Sequence, residues 1–395
     1  MNNFFGSSEK RPAKWGLVLS GGGTKGAYEV GVWRAIRELK IPIRGIAGTS
    51  IGALNAAMFL CCDMKHIESI YKNIKLADVL PVSGGIDPTK NVFDPSNLMA
   101  ITMDFFRQRG LDNAPLRRML EMHLDIQKIY ASPLDLGIVT YDVPTRVAFQ
   151  LFKEDIEPEK LIEYLLASAN FPIYKTQNID GKHFWDGGLY DNMPFNPLIG
   201  RGYTHLIVVD INGMGQTRKM ENADKVYVNM ISCSEDLGGT FEFNPGRIRH
   251  NMTLGYLDTL KAFHRLFGNY FFFRRPAFND LLMRFDLETI QGLEKAGKLF
   301  GMDRMRIYHA EDFLTELENR YTEAEKNYLA KYGPLSRKPG VTRLRKLLTT
   351  EEGLSAAVQF FTEQPAIHTT PFTKAFPDLR DAAKAVIALK NYRKL

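Results

Sequence analysis

The chain has 395 residues, of which 45% are hydrophobic and 24% charged. That balance is ordinary for a globular protein, and the length allows one large domain plus a second region. No run of about 18 apolar residues occurs, so a membrane-spanning helix is not expected. The net charge of +6 is unevenly placed, because residues 1–270 hold 30 Lys+Arg against 29 Asp+Glu and residues 271–395 hold 21 against 16. A basic C-terminal third either draws the phosphates of lipids or nucleic acids or is a solvated helical surface. Met1–Lys14 is polar and lacks the apolar stretch of a secretory signal. Cys61, Cys62 and Cys233 form neither a disulfide framework nor a metal-ligand pattern. A cytoplasmic setting is expected.

The first unit reads as strand, helix, strand, helix. Lys14–Ser20 is a short apolar run of buried-strand type, broken by Gly21, Gly22 and Gly23. Thr24–Lys40 has helical spacing, with Ala27, Val30, Trp33 and Ile36 sharing a face with Gly31, and Pro42 follows it. Ile43–Ala47 is a second strand and Ser50–Met64 an Ala-rich helix. Such a succession is a βαβ unit of a parallel sheet. Pro81–Asn113 is rich in Gly, Pro, Asp and Asn and is expected to form either a mobile cover or an ordinary packed excursion. Beyond it the spacing predicts a helix over Ala114–Leu124, strands over Leu134–Tyr141 and Arg146–Lys153, and a helix over Glu157–Ser168. Tyr174–Trp185 is expected to form a hairpin turned by Asp180-Gly181, and His205–Ile211 a last buried strand.

From Arg247 onward the chain reads as helical, over Arg247–Phe267, Phe278–Leu299, Ala310–Lys331, Leu354–Phe361 and Leu379–Leu395. The expected organisation is a polar tail (1–13), a catalytic α/β domain (14–246) and a mainly helical region (247–395). The last segment mixes apolar Ala383, Val386, Ile387 and Leu389 with Lys384, Lys390, Arg393 and Lys394. It is expected either to dock on anionic membrane or to pack on other protein, with its basic residues as a solvated rim.

Gly48-Thr49-Ser50-Ile51-Gly52 falls between a strand and a helix. A sharp turn there raises the Ser50 side chain above the sheet, and small residues on either side relieve the crowding. Gly21-Gly22-Gly23-Thr24-Lys25-Gly26 matches the dinucleotide-binding pattern G-x-G-x-x-G. That reading needs an acid at the end of the second strand to hold a ribose, where Ala47-Gly48-Thr49-Ser50 stands instead. The glycine turn is then free to present N–H groups to Ser50 as an oxyanion hole. A serine needs a base. None of the eight histidines lies in a catalytic string, whereas Asp186-Gly187-Gly188 ends an apolar strand.

In this order the three motifs resemble the patatin-like phospholipase family. Ala167-Ser168-Ala169-Asn170-Phe171-Pro172 and Asp191-Asn192-x-Pro194 resemble further segments of it. The similarity covers about residues 14–215, with Lys25 where many members carry arginine. It implies a three-layer α/β/α fold around a mostly parallel sheet, and hydrolysis of fatty acyl esters of phospholipids or other lipids by a Ser50–Asp186 dyad. Gly22, Gly23 and neighbouring amides would hold the oxyanion. No metal or cofactor and no nucleic-acid partner is expected. Two other readings stay open: a lipid-binding protein that keeps the fold without turnover, and a dinucleotide-binding protein.

Overall fold

The computed structural model describes residues 13–81, 110–332, 351–363 and 376–394. The chain divides into two compact units, Met1–Ala262 and Phe263–Leu395. In the first, eight strands form one sheet: β1 (Trp15–Leu19), β2 (Ile43–Thr49), β3 (Asp135–Asp142), β4 (Val147–Phe152), β5 (Gln177–Ile179), β6 (Lys182–Asp186), β7 (His205–Asp210) and β8 (Tyr227–Ser232). Their order is β5-β6-β3-β2-β1-β7-β8, with β4 also paired to β3. β1, β2, β3, β7 and β8 are parallel to their neighbours among themselves, whereas β4 and β6 run antiparallel to β3. The sheet is mixed, mostly parallel and flanked by helices, as the sequence led one to expect.

The central strands are buried because they are continuous apolar runs. Leu17, Val18, Leu19, Leu206, Ile207, Val208 and Val209 are each 0% exposed, the pattern of a parallel sheet covered on both faces. The hairpin β5–β6 turns at Asp180 and Gly181, whose φ angles of 50° and 79° suit a two-residue turn of primed type. β8 gave no signal in the sequence: YVNMIS is half polar, and only Ile231 of it is buried. It is an edge strand, held by its pairing to β7 rather than by an apolar pattern.

The register on β3 decides where the site forms. β2 pairs with β3 up to Thr49 opposite Val139, and β6 pairs with it from Thr140 opposite Asp186. β4 spans Gly137–Asp142 of β3 and so occupies one whole edge. β2 and β6 therefore share the other edge, end to end. One is parallel and the other antiparallel to β3, so their C-terminal ends meet.

Helix α1 (Ala27–Glu38) follows β1, and α2 (Ile51–Cys61) follows β2. The helix expected over Ser50–Met64 stops at Cys61 because Asp63 caps a separate helix, α3 (Met64–Asn73), accepting the His66 N–H at 2.8 Å. The helix Pro245–Ala262, read from the sequence as part of the C-terminal region, lies with the first unit. Glycines make this crossing close. A Cβ on Gly31 would stand 1.9 Å from the Met252 carbonyl oxygen, and one on Gly255 would stand 2.0 Å from that of Tyr28.

The second unit is helical: Arg275–Arg284, Leu287–Leu299, Ala310–Tyr332, Glu351–Glu363 and Pro377–Tyr392 pack around Phe271, Phe273, Leu293, Phe313 and Leu354, beside a two-stranded parallel pair, β9 (Phe272–Phe273) and β10 (Ile307–Tyr308). The single helix expected over Phe278–Leu299 is broken at Phe285, where Asp286 caps a new start by accepting the Thr289 N–H at 2.8 Å. The terminal helix turns its apolar side inward: Leu379, Ala382, Val386 and Leu389 are buried in the core of this unit. Lys390 pairs with Glu325, and Arg393 with Glu311 and Glu318. The apolar face read as a bilayer contact is thus already covered within its own unit.

The two crossing glycines set a stability test. Gly31→Ala should destabilise the protein by about 2–4 kcal/mol, since the backbone of Met252 cannot yield as a side chain would. Gly200→Ala, where nothing lies within 4 Å of the added carbon, should change stability by less than about 1 kcal/mol. Denaturant melts of both variants check this, and equal midpoints would refute the close crossing.

Candidate active site

Between β2 and α2 stands a single residue, Ser50, with φ 56° and ψ −126°. A non-glycine residue is held there only when its surroundings over-determine it, at a cost of about 1–3 kcal/mol. The surroundings are visible. A Cβ on Gly48 would lie 2.3 Å from the Gly52 carbonyl group, and one on Gly52 2.5 Å from the Leu19 carbonyl oxygen. Only glycine at both positions lets the elbow fold this tightly. The Ser50 N–H donates to Ser168 Oγ at 3.0 Å, and α2 starts at Ile51, its positive end beside the serine.

Asp186 ends β6 and is 6% exposed. Its carboxylate accepts the Gly188 N–H at 2.8 Å, and the nearby Ser50 hydroxyl also favours its ionised form. Burial pushes its pKa up to about 6, against the lowering effect of Ser50 and of the Gly188 amide. Gly187 must be glycine, because a Cβ there would stand 2.2 Å from the Val139 carbonyl oxygen. The Asp186 N–H donates to the Asn170 carbonyl at 2.9 Å. His183 is exposed and three residues earlier on the same strand, hence on the opposite face.

The glycine turn lies beside Ser50: Gly21, Gly22, Gly23 and Thr24 line the same cavity as Ser50 and Asp186. Its amides are unequal. Gly21 N–H donates to Asn192, both to the side-chain oxygen at 3.1 Å and to the carbonyl at 3.3 Å. Thr24 N–H donates to the Thr240 carbonyl at 2.8 Å. Among the described residues the N–H groups of Gly22, Gly23 and Ile51 find no protein partner. Gly23 has φ 61°, and a Cβ there would stand 2.1 Å from the Thr240 oxygen. Lys25 ties its ammonium to the Asn212 carbonyl at 2.9 Å. Gly26 packs on Ile51.

The site also contains groups that the motifs did not single out. Asn192 pins the glycine turn to the segment after Asp186, and Thr49 Oγ1 donates to the Asp191 carbonyl at 2.8 Å. Under the turn, Asn55 donates to the Gly26 carbonyl at 3.1 Å and to Glu29 at 2.7 Å, and accepts the Tyr71 hydroxyl at 2.7 Å. Burial pushes the Glu29 carboxyl well above the usual range. Glu29 stood in an apolar helical stretch, and only an acid amid buried positions marked it. Asn192 was visible as a matched position without an evident task.

From Ser50 a cavity of about 280 Å³ runs inward, lined by Leu54, Met58, Ile70, Leu116, Leu120 and Phe171 among others. Asp186 is the only carboxylate on its described wall, and no Lys, Arg or His lies there. A mostly apolar slot with a few polar groups suits a largely apolar molecule. Of the expected cover, residues 82–109 lie outside the described residues. At its end, Leu111 is buried and its N–H donates to the Ile173 carbonyl at 2.9 Å.

Fold and site together define a class: a mixed α/β sheet protein with a serine at a strand-to-helix elbow facing a buried aspartate. Within that class, residues 17–199 match the patatin-like phospholipase family. Neuropathy target esterase sws of Drosophila melanogaster is 24% identical over 220 residues, which is 53% of this chain and 14% of that protein. Patatin-like phospholipase domain-containing protein 7 of Mus musculus is 24% identical over 204 residues, 51% of this chain and 14% of that protein. The matched segment is thus a small part of each of these relatives. Among solved structures, VipD from Legionella pneumophila aligns over 96% of this chain and 90% of its own, with 14% identity and a TM-score of 0.42.

The raised pKa of Asp186 has a measurable consequence for stability. A carboxyl near 6 when folded and near 3.9 when unfolded binds its proton more tightly in the folded state. Stability is then lost as the pH rises from the unfolded towards the folded value. Asp186→Asn should be more stable than the parent by about 2–3 kcal/mol at pH 7, and the gap should close near pH 4. Melting curves at the two pH values check this. A variant no more stable than the parent at pH 7 would mean that the carboxylate carries no burial penalty.

Proposed function

We propose that this protein hydrolyses fatty acyl esters of lipids through an acyl-enzyme, with Ser50 as nucleophile and Asp186 as its base. The observation that carries the reading is a buried aspartate sharing one apolar-walled cavity with the Ser50 hydroxyl, whose influence favours the ionised carboxylate. Asp186 takes the proton of Ser50 as Oγ attacks the ester carbonyl. The carbonyl oxygen becomes an oxyanion facing the unpartnered amides of Gly22, Gly23 and Ile51, whose donors need not reorganise. The C–O bond to the alcohol breaks, and Asp186 returns the proton to that alcohol. Water, deprotonated by Asp186, then attacks the acyl-serine and releases the fatty acid and free Ser50.

Three things support this assignment over a histidine-dependent triad. No histidine lines the cavity among the described residues. His183 points from the other face of β6. An aspartate near 6 is both ionised at pH 7 and basic enough to act. Neither metal nor cofactor enters these steps. The names of the two relatives, an esterase and a phospholipase domain protein, agree in substrate class.

Turnover of a soluble short-chain ester and of phospholipid vesicles by the purified chain tests the reading. Ser50→Ala and Asp186→Asn should each lose activity by about 10³-fold or more, while His183→Ala stays within about twofold of the parent. An inactive His183→Ala with intact fold would replace the dyad by a triad. The parent's kcat/KM should rise with pH through about 6, because only ionised Asp186 accepts the proton. A profile flat from pH 5 to 8 would remove Asp186 as base.

A further inference from the structure

Resting on the hydrolase reading above, we propose that Ser168 is a positioning residue for the nucleophile, and that the segment Ser168–Asn170 yokes Ser50 and Asp186 to one another. Ser168 is 0% exposed. Its hydroxyl donates to the Val139 carbonyl at 2.6 Å and accepts the Ser50 N–H at 3.0 Å. The hydroxyl proton is thus anchored on β3, and a lone pair holds the backbone of the serine itself. Two residues on, the Asn170 carbonyl accepts the Asp186 N–H at 2.9 Å. Asn170 is fixed in turn, because its side-chain NH₂ donates to the Lys175 and Phe184 carbonyls, each at 3.0 Å.

The geometry explains why such a clamp is needed. β2 and β6 meet end to end on β3, and no ladder bond joins one strand end to the other. Ser50 holds a strained backbone at this junction, and its N–H has Ser168 as its partner. Without the hydroxyl, a half-buried amide is left unsatisfied. The elbow is then free to relax and carry Oγ away from the Asp186 carboxylate. Near-attack geometry is sensitive to shifts of this size. Ser168 does not line the cavity, although Ala169 and Phe171 do. Its loss should therefore act on the chemical step and leave substrate binding alone.

Valine and threonine have the same shape and differ in the hydroxyl, so they separate the hydrogen bond from packing. Ser168→Ala and Ser168→Val should lower kcat on a soluble short-chain ester by about tenfold to hundredfold, with KM within about twofold. Ser168→Thr should keep kcat within about threefold of the parent. Hydrogen exchange of the Ser50 amide, followed by NMR, reads the contact without any turnover: it should quicken in the Ala and Val variants and not in Thr. Equal loss of kcat in Val and Thr would reduce Ser168 to packing and overturn the proposal, as would unchanged Ser50 exchange in Val. Should the parent itself prove inactive, the hydrolase reading falls. The exchange comparison would still decide whether Ser168 holds Ser50.

Discussion

Two strand ends facing each other along one edge of β3 are the constraint on which everything else depends. β2 arrives parallel and stops opposite Val139, while β6 arrives antiparallel and stops opposite Thr140. Each presents its last position to the other, so a serine just past one and an aspartate closing the other come to line the same cavity. A wholly parallel sheet would not bring two C-terminal ends together on one edge. The antiparallel hairpin β5–β6, turned at Asp180-Gly181, is therefore part of the proposed dyad as much as of the fold.

Several local penalties are concentrated at this junction, and each is held by identifiable neighbours. Ser50 sits in a backbone region that a side chain avoids, and the tight packing at Gly48 and Gly52 keeps it there. Asp186 is a carboxylate out of water, compensated by the Gly188 amide and the Ser50 hydroxyl. Gly22 and Gly23 leave buried or half-buried amides unpaired among the described residues. Unpaired donors cost stability in the resting protein and stabilise an anion as it forms. Asn192 and the Asn55–Glu29–Tyr71 network tie the glycine turn to its neighbours.

Much of this was legible in the sequence, for physical reasons. Apolar runs ended by glycine gave β1 and β2, a longer apolar run gave β7, and the strand-to-helix setting singled out Ser50. Asp186 stood out because two glycines followed it at a strand end. What stayed hidden was of two kinds. Short edge strands such as β8 lack an apolar period, and helix breaks at Asp63 and Asp286 are set by single caps inside otherwise helical spacing. Partners distant in sequence carry no local mark either: Ser168 meets Ser50 across 118 positions, and Asn192 meets Gly21 across 171. The terminal helix shows the same limit. Its apolar face was plain, but not whether a membrane or its own helical unit covers it; its own unit does.

The central claim is that acyl transfer passes through Ser50. It is tested most directly by mixing the protein with a short-chain activated ester, quenching in acid within the first turnover, and mapping the acyl mass by peptide. The account predicts one acyl group, on the peptide that carries Ser50, and none in a sample of Asp186→Asn treated alike. An acyl group on another residue, or product formation with no acylated peptide at any quench time, would contradict it.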